Sequence, residues 1–585
     1  MLTVKEISIT NFRSIRSERF ELLPLTILVG KNDVGKSNLL EAIRILFEGT
    51  ATSVDSEDFY DPTQPLETVA FLAGVPDYLT LCDERNRTKI EQRIDGHGLM
   101  IIRRVAASPR KLGSIEVLDP SSGEFSTPTG IDAAMKPLLP EIIFIPALAD
   151  VAAEAKGAQK DSLGQLVGQV MSAIADQVQP RLDEAYEQAN RLLNVRANPE
   201  TGAEQDERAA ELAGIERDIT RHLNETFPKA SVRLKVRLPS VRSILGQIDV
   251  VVREGTHEDP YYRRGHGLQR TLYLSLLRAL ATRIRERTQR EVVRPFILLF
   301  EEPEAFLHPE GQIKMRNALE AISQRAQVAL ATHSPIIVTP DFVDKTIRIE
   351  KRVDEKYPKP VTKRFGPIDE ATLTAAQRQL LPLFALQRSS RFLFSRGVLL
   401  VEGVGDEHLF PAIAQQLRNF NLEASEIAVV ESGGKDHLYA FSQLLQALGL
   451  QTWILTDIDF LWSGAGRVLR EDAELSTFCE ELNQIVPEIP LGERTDAAMR
   501  DRRRRQKQAA ITQLAGQRTT LCDSLFEQGI FVLREGEIED YVELTPTSKG
   551  QYLKAAEEIR NGKRNVQHRA ELERIISVLE AWSGS

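Results

Sequence analysis

Residues 399–410 read LLVEGVGDEHLF: an apolar run stops on Glu402, turns through Gly403 and Gly405, and then presents Asp406 and Glu407. An apolar run of this length, broken by glycines and followed by a helical pattern, predicts a buried strand that turns into a helix. Its acids are thereby delivered to the carboxyl end of a strand, where parallel α/β sheets place their sites. Like charges about 4 Å apart repel by about 4 kcal/mol at an effective dielectric of 20. Such a gathering needs a positive charge to hold it.

The surrounding pattern repeats the arrangement. GVLLVE, a helix through HLFPAIAQQL, IAVVES, a helix through HLYAFSQLLQAL, and TWILTDID predict a βαβαβ unit. Asp457 and Asp459 are expected two apart on an extended segment, facing the same way. Downstream, IFVLREGEIEDYVE sets Glu537 and Glu539 behind another β-run. Carboxylates converging from distant points are best stabilised by hard divalent cations, and Mg²⁺ prefers oxygen ligands with several waters retained. These strand-end acids therefore read as a metal site.

Working back toward the N-terminus, LTILV at 25–29 reads as a short buried strand, with GKNDVGKS at 30–37 and the helical NLLEAIRILF directly after it. This is GxxxxGK[ST] in the strand, loop, helix context of a phosphate-binding loop. Gly30 and Gly35 let backbone amides approach phosphate oxygens, Lys36 reaches the terminal phosphates and Ser37 can ligate magnesium; Asn32 and Asn38 lie within the same motif. Further on, RPFILLFEE at 294–302 is a β-run ending in Glu301 and Glu302. In a phosphate-loop ATPase the strand-end acid holds magnesium and the next acid orients the attacking water. VALATHSPIIV is another short strand, ending at His333, where a polar residue can sense the γ-phosphate.

The bulk numbers fit such a chain. At 585 residues it exceeds the size at which single cores stop growing, about 250 to 300 residues, so two or three domains are expected. Apolar residues at 42% and charged residues at 27% are those of an ordinary globular protein, and there is no apolar run of the roughly 18 residues that a membrane span needs. The N-terminus has no signal-peptide pattern, so a cytoplasmic protein is expected. Cys82, Cys479 and Cys522 are far apart with no CxxC, which argues against disulfides and zinc. A net charge of -10 argues against a nonspecific DNA coat but leaves room for a local basic groove. The run MRDRRRRQKQ at 499–508 is the densest candidate for one.

NFRS at 11–14, GKNDVGKSN, LLFEEPEAFLHP and ATHSP together resemble the ABC-type ATPase heads of the SMC and RecF group. RRGHGLQRTLYLSLL at 263–277 occupies the place of that group's signature loop, keeping Gly265, Gly267 and Gln269 but departing from LSGGQ. VEGVGDE, with DID and EGEIED, resembles the Toprim domain of topoisomerases, DnaG-type primases and several nucleases. A head followed by a Toprim domain is similar to the OLD (overcoming lysogenization defect) family of nucleases, which includes the nuclease subunit of the Gabija anti-phage system.

The resemblance implies an α/β chain: a P-loop ATPase head at 1–150, a helical dimerisation insertion at 151–255, the rest of the head and a linker at 256–390, and a Toprim domain at 391–585. Residues 351–395, charged and proline-bearing, are the expected linker. It also implies a two-metal DNA endonuclease using Mg²⁺ or Mn²⁺, with Glu402, Asp406, Asp457, Asp459 and Glu537 or Glu539 as ligands and ATP with Mg²⁺ on the head. A lysine near the C-terminus is expected to support the transition state, with Lys563 the candidate and Lys549 and Lys554 as alternatives. Glu302 would limit hydrolysis, Glu301 and His333 would bind nucleotide, and the partners would be DNA, a second copy of the chain and, as in some OLD systems, a separately encoded helicase. Two other classes are open at this level: a nucleotide-switched DNA-binding ATPase with a non-cleaving Toprim domain, and a primase- or topoisomerase-like enzyme.

Overall fold

The computed structural model describes residues 2–48, 54–109, 112–147, 251–286 except 255 and 256, 295–352, 361–366, 391–469, 473–485, 513–545 and 549–583, with parts of 181–224 and positions 234 and 511. The basic run at 499–508 and most of the expected helical insertion lie outside the described residues. Among the described residues, no helix is long and apolar enough to cross a membrane.

The head is built on two sheets. An antiparallel sheet has the order β2 (Ile15–Glu21), β1 (Thr3–Phe12), β4 (Leu66–Ala73), β5 (Leu99–Ala106), β6 (Glu116–Leu118), β7 (Phe125–Ser126). A second sheet runs β16 (Val361–Phe365), β15 (Thr346–Arg352), β3 (Leu25–Val29), β14 (Gln327–Thr332), β13 (Phe296–Glu301), β8 (Glu141–Ile145). All its pairings are parallel except β15 with β16. Two minor antiparallel pairs, β9 (Arg196–Ala197) with β10 (Glu204–Gln205) and β11 (Val251–Glu254) with β12 (His257–Pro260), fall between β8 and β13 in sequence.

Side-chain alternation along β13 explains the layering. Ile297 and Leu299 join the core under the antiparallel sheet and the helix Lys36–Glu48. Leu298 and Phe300 face the opposite core, which includes residues of the helices His266–Glu286 and Pro309–Ser323. A strand buried on both faces must be apolar throughout, and FILLF supplies this.

The expected linker is partly sheet. Within 351–395, residues 361–365 pair with β15; Val361 and Thr362 are buried, and the Thr362 hydroxyl donates to Val34 O of the phosphate loop at 3.0 Å. Charge and prolines mark solvent exposure on average and miss a short edge strand whose alternate residues are apolar.

The C-terminal sheet has the order β18 (Ile427–Glu431), β17 (Gly397–Val401), β19 (Gln451–Asp457), β20 (Ile530–Leu533), all parallel. The predicted βαβαβ unit is present: β17, helix Val404–Arg418, β18, helix Lys435–Ala447, β19. The first helix packs in a core with the C-terminal helices Lys549–Arg560 and Arg569–Ser583, while the second packs on the other face. Strand order therefore reverses at β17 and opens a crevice beyond its carboxyl end and that of β19.

The two halves share one continuous core, in which Leu25 and Ile27 of the head cluster with Leu444 and Leu448 of the C-terminal unit. Polar contacts fix the join. Arg348 on β15 is buried and donates to the carbonyl oxygens of Leu448 at 3.4 Å, Gly449 at 3.1 Å and Ser395 at 3.1 Å. Lys31, inside the phosphate loop, pairs with Glu426, whose carbonyl oxygen accepts from the amides of Arg396 and Gly397 at the start of β17. Arg348→Leu leaves three carbonyls without their donor and Glu350 with Arg352 alone. It should cost about 2 to 4 kcal/mol, read as a lower denaturant midpoint. An unchanged midpoint would show that these bonds add nothing to the join.

Candidate functional site

In the head, β3 delivers the phosphate loop and β13 the acids. A Cβ at Gly30 would collide with the carbonyl oxygen of Ile349, and one at Gly35 with the hydroxyl of Thr362, so both positions admit only glycine. Lys36 is buried, and its ammonium donates to the carbonyl oxygens of Gly30 at 3.0 Å and Lys31 at 2.6 Å. Burial brings its pKa down to about 8 against the opposing pull of Glu302, Glu304 and Glu301. His333 stands within the same field, its pKa lowered by burial and then by Lys36.

Glu301 ends β13, and its carboxylate accepts from the amide of Ala147 at 3.3 Å. Glu302 follows in a left-handed conformation with φ 46°, its amide donating to Ala331 O at 2.8 Å. Asn32 and Ser37 are exposed on the loop. Asn38 is tied by its side chain to Ser14 at 2.7 Å and to Arg13 at 3.5 Å.

Two head residues were missed from sequence. Glu304 accepts the amide of His333 at 2.7 Å, and burial raises its pKa. The third acid of EEPE was its only signal. Arg270 is fully buried over the Phe300 ring and donates to Pro146 O at 3.3 Å and Glu301 O at 3.4 Å. It lies just past GHGLQ, and nothing in the sequence separates it from the surrounding surface arginines. Gln269 of that loop is turned inward, donating to Arg264 O at 2.7 Å.

In the C-terminal unit the carboxylates converge as expected. Glu402 leaves the end of β17 and accepts from the Thr456 hydroxyl and from the amide of Asp457 at 3.1 Å. Asp406 sits in the first turn of helix Val404–Arg418, is buried, and accepts from the amide of Gly403 at 3.1 Å. Burial raises its pKa to about 8, and the charges of Glu539 and Glu402 add to the rise. Asp457 is pushed well above the usual carboxylate range by burial, then by Asp406, Glu402, Asp459 and Glu539. Glu402 is raised by burial against its hydrogen bond from Thr456.

Three expectations need correction. The DID segment is not extended throughout: β19 stops at Asp457, and Asp459 has helical angles, φ -72° and ψ -6°, at the start of the turn Phe460–Ser463. It still bears on Glu402 and Asp457, because the turn folds back over the strand end. Of the later acids, Glu539 rather than Glu537 raises Asp406 and Asp457, and its carboxylate accepts from the Tyr552 hydroxyl at 2.7 Å.

Lys563, the third, is not brought to the cluster. Helices Val404–Arg418 and Lys549–Arg560 lie side by side in the same direction, with Gly405 against Tyr552 at one end and Gln416 bonded to Arg564 O at 3.2 Å at the other. From Asp406 to Gln416 is about 15 Å along the axis, so exposed Lys563 stands at the end remote from the acids. Lys554 is exposed on the same helix, and the Lys549 side chain lies outside the described residues. The lysine that does reach the acids is Lys435, the first residue of helix Lys435–Ala447, paired with Asp459. SGGK following a β-run was its sequence signal.

The donor set fits hard divalent cations. It is all oxygen and mostly buried, and its members raise one another's proton affinity, which a bound cation reverses. As placed, no three acids, histidines or cysteines among the described residues stand together closely enough to hold a metal ion.

The raised acids carry a pH consequence. Between about pH 4 and pH 8 the folded state holds a proton on Asp406 that the unfolded chain has lost, and the raised Asp457 acts in the same direction, so the stability of the cation-free protein falls as pH rises through that window. In EDTA the protein should therefore melt higher at pH 6 than at pH 7.5, and Asp406→Asn should raise the pH 7.5 value by about a few degrees while flattening the dependence. Identical pH profiles for wild type and variant would remove Asp406 from the charged cluster.

Comparison with known proteins agrees with this arrangement. Residues 393–459 match the model of the overcoming lysogenization defect protein-like TOPRIM domain, and residues 25–339 match that of an AAA domain described as putative AbiEii toxin, type IV TA system. The chain is 30% identical over 499 residues to the Old nuclease of Escherichia phage P2, covering 83% of this chain and 82% of that protein. It is 24% identical over 475 residues to the OLD nuclease of Thermus scotoductus, covering 78% and 82%. It is 22% identical over 564 residues to the endonuclease GajA of Bacillus cereus, covering 90% and 89%. With an ATPase head carrying the phosphate loop and a Toprim sheet carrying the acids, the chain belongs to the OLD family of nucleases.

Proposed function

We propose that this protein is a divalent-metal-dependent DNA endonuclease coupled to its ATPase head, acting in anti-phage defence. The observation that carries the reading is the buried cluster of Glu402, Asp406, Asp457, Asp459 and Glu539 at the carboxyl ends of β17 and β19. These residues would hold two cations, Mg²⁺ or Mn²⁺, which when bound stabilise the attacking and leaving oxygens of a phosphodiester in an in-line displacement. The chain's own part is to fix the carboxylates. The Thr456 hydroxyl and the Asp457 amide aim Glu402, the Gly403 amide aims Asp406, and Tyr552 aims Glu539.

In the head, Gly30, Gly35, Lys36 and Ser37 would cradle the phosphates of ATP, with Glu301 on magnesium, Glu302 on the attacking water and His333 near the γ-phosphate. A phosphate reaching Lys36 would replace the two carbonyls that now hold its ammonium. The defence role rests on the likeness to GajA. A reducing compartment such as the cytoplasm suits the three free cysteines, of which Cys82 and Cys522 are buried.

Assembly follows from the head. The helix Ala210–Asn224 exposes Ile215 and Ile219 one turn apart, and a second copy of the chain would cover them. DNA would lie across the Toprim crevice.

Three measurements test this. Asp457→Ala should lower nicking of supercoiled plasmid in Mg²⁺ or Mn²⁺ by about 10³-fold and leave ATP affinity intact; wild-type cutting by this variant would sink the metal assignment. Lys36→Ala should lose nucleotide binding with its melting curve unchanged, and retained affinity would remove the phosphate loop from the account. Light scattering should give at least a dimer for the full chain, and Ile215→Glu with Ile219→Glu should shift it toward monomer. A wild-type monomer with or without ATP overturns the assembly.

A further inference from the structure

A cavity of about 490 Å³ is walled by the edge strand β20, the helix Ala515–Glu527 and the start of the helix Arg569–Ser583. That is the size of a small-molecule site. Its floor is apolar, with Cys522, Phe531, Val532 and Ile575 buried, and Arg534, Arg569 and Arg574 also line it. Arg534 Nη2 and Arg574 Nη1 donate to the same oxygen, Asp523 Oδ1, at 2.7 and 2.8 Å, so two guanidinium charges share one carboxylate. The two acids of the lining have other partners: Glu571 accepts from the Arg534 amide at 2.9 Å and the Tyr541 hydroxyl at 2.6 Å, and Glu535 stands 3.8 Å from Arg518. The Arg574 guanidinium also lies over the Phe526 ring, 4.0 Å from its centroid.

These walls suit a ligand with an anionic end and a flat apolar body. A bare inorganic anion would leave the apolar floor unused. An extended peptide is disfavoured, because the edge of β20 is closed past Val532: the Arg534 amide donates to Glu571, the Arg534 carbonyl accepts from Arg518 at 3.0 Å, and the Glu535 amide donates to the Tyr541 hydroxyl at 3.2 Å. A strand added there would have to displace all three. A phosphate, by contrast, matches the forked donors of guanidinium groups, and a nucleobase stacks on arginine and aromatic faces alike. One nucleotide supplies both. The cavity also adjoins the strand that carries the acids, since Leu533 at the end of β20 pairs with Asp457 and Arg534 comes next.

We propose that this cavity binds one nucleotide, its phosphate on Arg534 and Arg574 and its base against the Arg574–Phe526 stack and the apolar floor. The nucleotide belongs either to a DNA strand lying across the Toprim crevice or to the free pool; the recognising chemistry is the same, and the source is settled by experiment. No metal takes part, so the site stands or falls separately from the nuclease reading.

The experiment uses the full-length chain carrying Lys36→Ala, which removes nucleotide binding by the head, and the same chain with Arg574→Gln or Ala570→Phe added. Each is titrated in EDTA with dAMP, dTMP, inorganic phosphate and a labelled single-stranded oligonucleotide. Arg574 and Ala570 are exposed, so both variants should melt as the parent does. Arg574→Gln removes one of the two guanidinium groups, whereas Ala570→Phe fills the cavity and leaves every charge in place. Each is expected to weaken binding by about tenfold. Inorganic phosphate, lacking the base, should bind about tenfold more weakly than a nucleotide. Binding of dAMP or dTMP marks a free-nucleotide site, and binding seen only with the oligonucleotide marks a subsite for the DNA strand. The proposal is overturned if neither binds, if either substitution leaves binding unchanged, if phosphate binds as tightly as the nucleotide, or if hexaglutamate binds as tightly as the oligonucleotide. Nicking of supercoiled plasmid in Mn²⁺ by wild type is measured alongside: an intact plasmid defeats the nuclease reading and leaves the nucleotide affinity of the cavity standing.

Discussion

Mutual repulsion among buried carboxylates is the constraint around which the C-terminal half is organised. Glu402, Asp406, Asp457, Asp459 and Glu539 arrive from three separate stretches of sequence, and burial removes the water that would otherwise screen them. A fold gains nothing in stability by such a gathering. The surrounding core makes it affordable: β17 is apolar throughout, β19 is apolar over Trp453–Leu455, and helices pack both faces. Local discord set inside a consistent apolar frame is what a ligand-binding site looks like energetically.

The head shows the same logic with the sign reversed. Lys36 is a buried cation held by two carbonyl oxygens and by the charge of Glu301, Glu302 and Glu304, three acids that also oppose one another. An anionic phosphate relieves the lysine, and a cation relieves the acids, so nucleotide and magnesium suit the site together. Arg270 beneath Glu301 balances part of the acid charge from within the core, at the expense of two nitrogens without a partner. Each half thus holds charges that only a ligand of the opposite sign settles.

These two centres are physically continuous. Lys31, the residue after Gly30, is paired with Glu426, and Glu426 O accepts the amides that begin β17, the strand that ends at Glu402. Arg348 on the strand beside the phosphate loop binds the carbonyls at the end of helix Lys435–Ala447, whose other end carries Lys435. A shift in the phosphate loop has rigid elements along which to travel. The shared apolar core excludes the picture of two domains tethered by a free linker.

How much of this was legible in the sequence follows from the range of the interactions involved. GKNDVGKS, FILLFEE and VEGVGDE each declare a strand, a turn and the polar group the turn presents, because the geometry is local and its spacing is fixed by strand and helix periods. The two α/β units, their order, and the strand ends and helix starts that carry Glu402, Asp406, Asp457, Lys36, Glu301 and Glu302 were therefore readable before any fold was known. Lys435, Glu304, Arg270 and the preference for Glu539 over Glu537 were not, since each depends on which strand lies beside which and on what packs beneath. Strand Val361–Phe365 was hidden for the same reason, since it is the packing of Thr362 on the phosphate loop that buries it. Lys563 failed in the opposite direction: the family resemblance put a lysine near the C-terminus, and about three turns of parallel helix separate it from the acids. Sequence determines what each strand end offers, but only the order of strands and the run of helices decide which of those offers meet, because contact between distant residues is set by packing rather than by spacing.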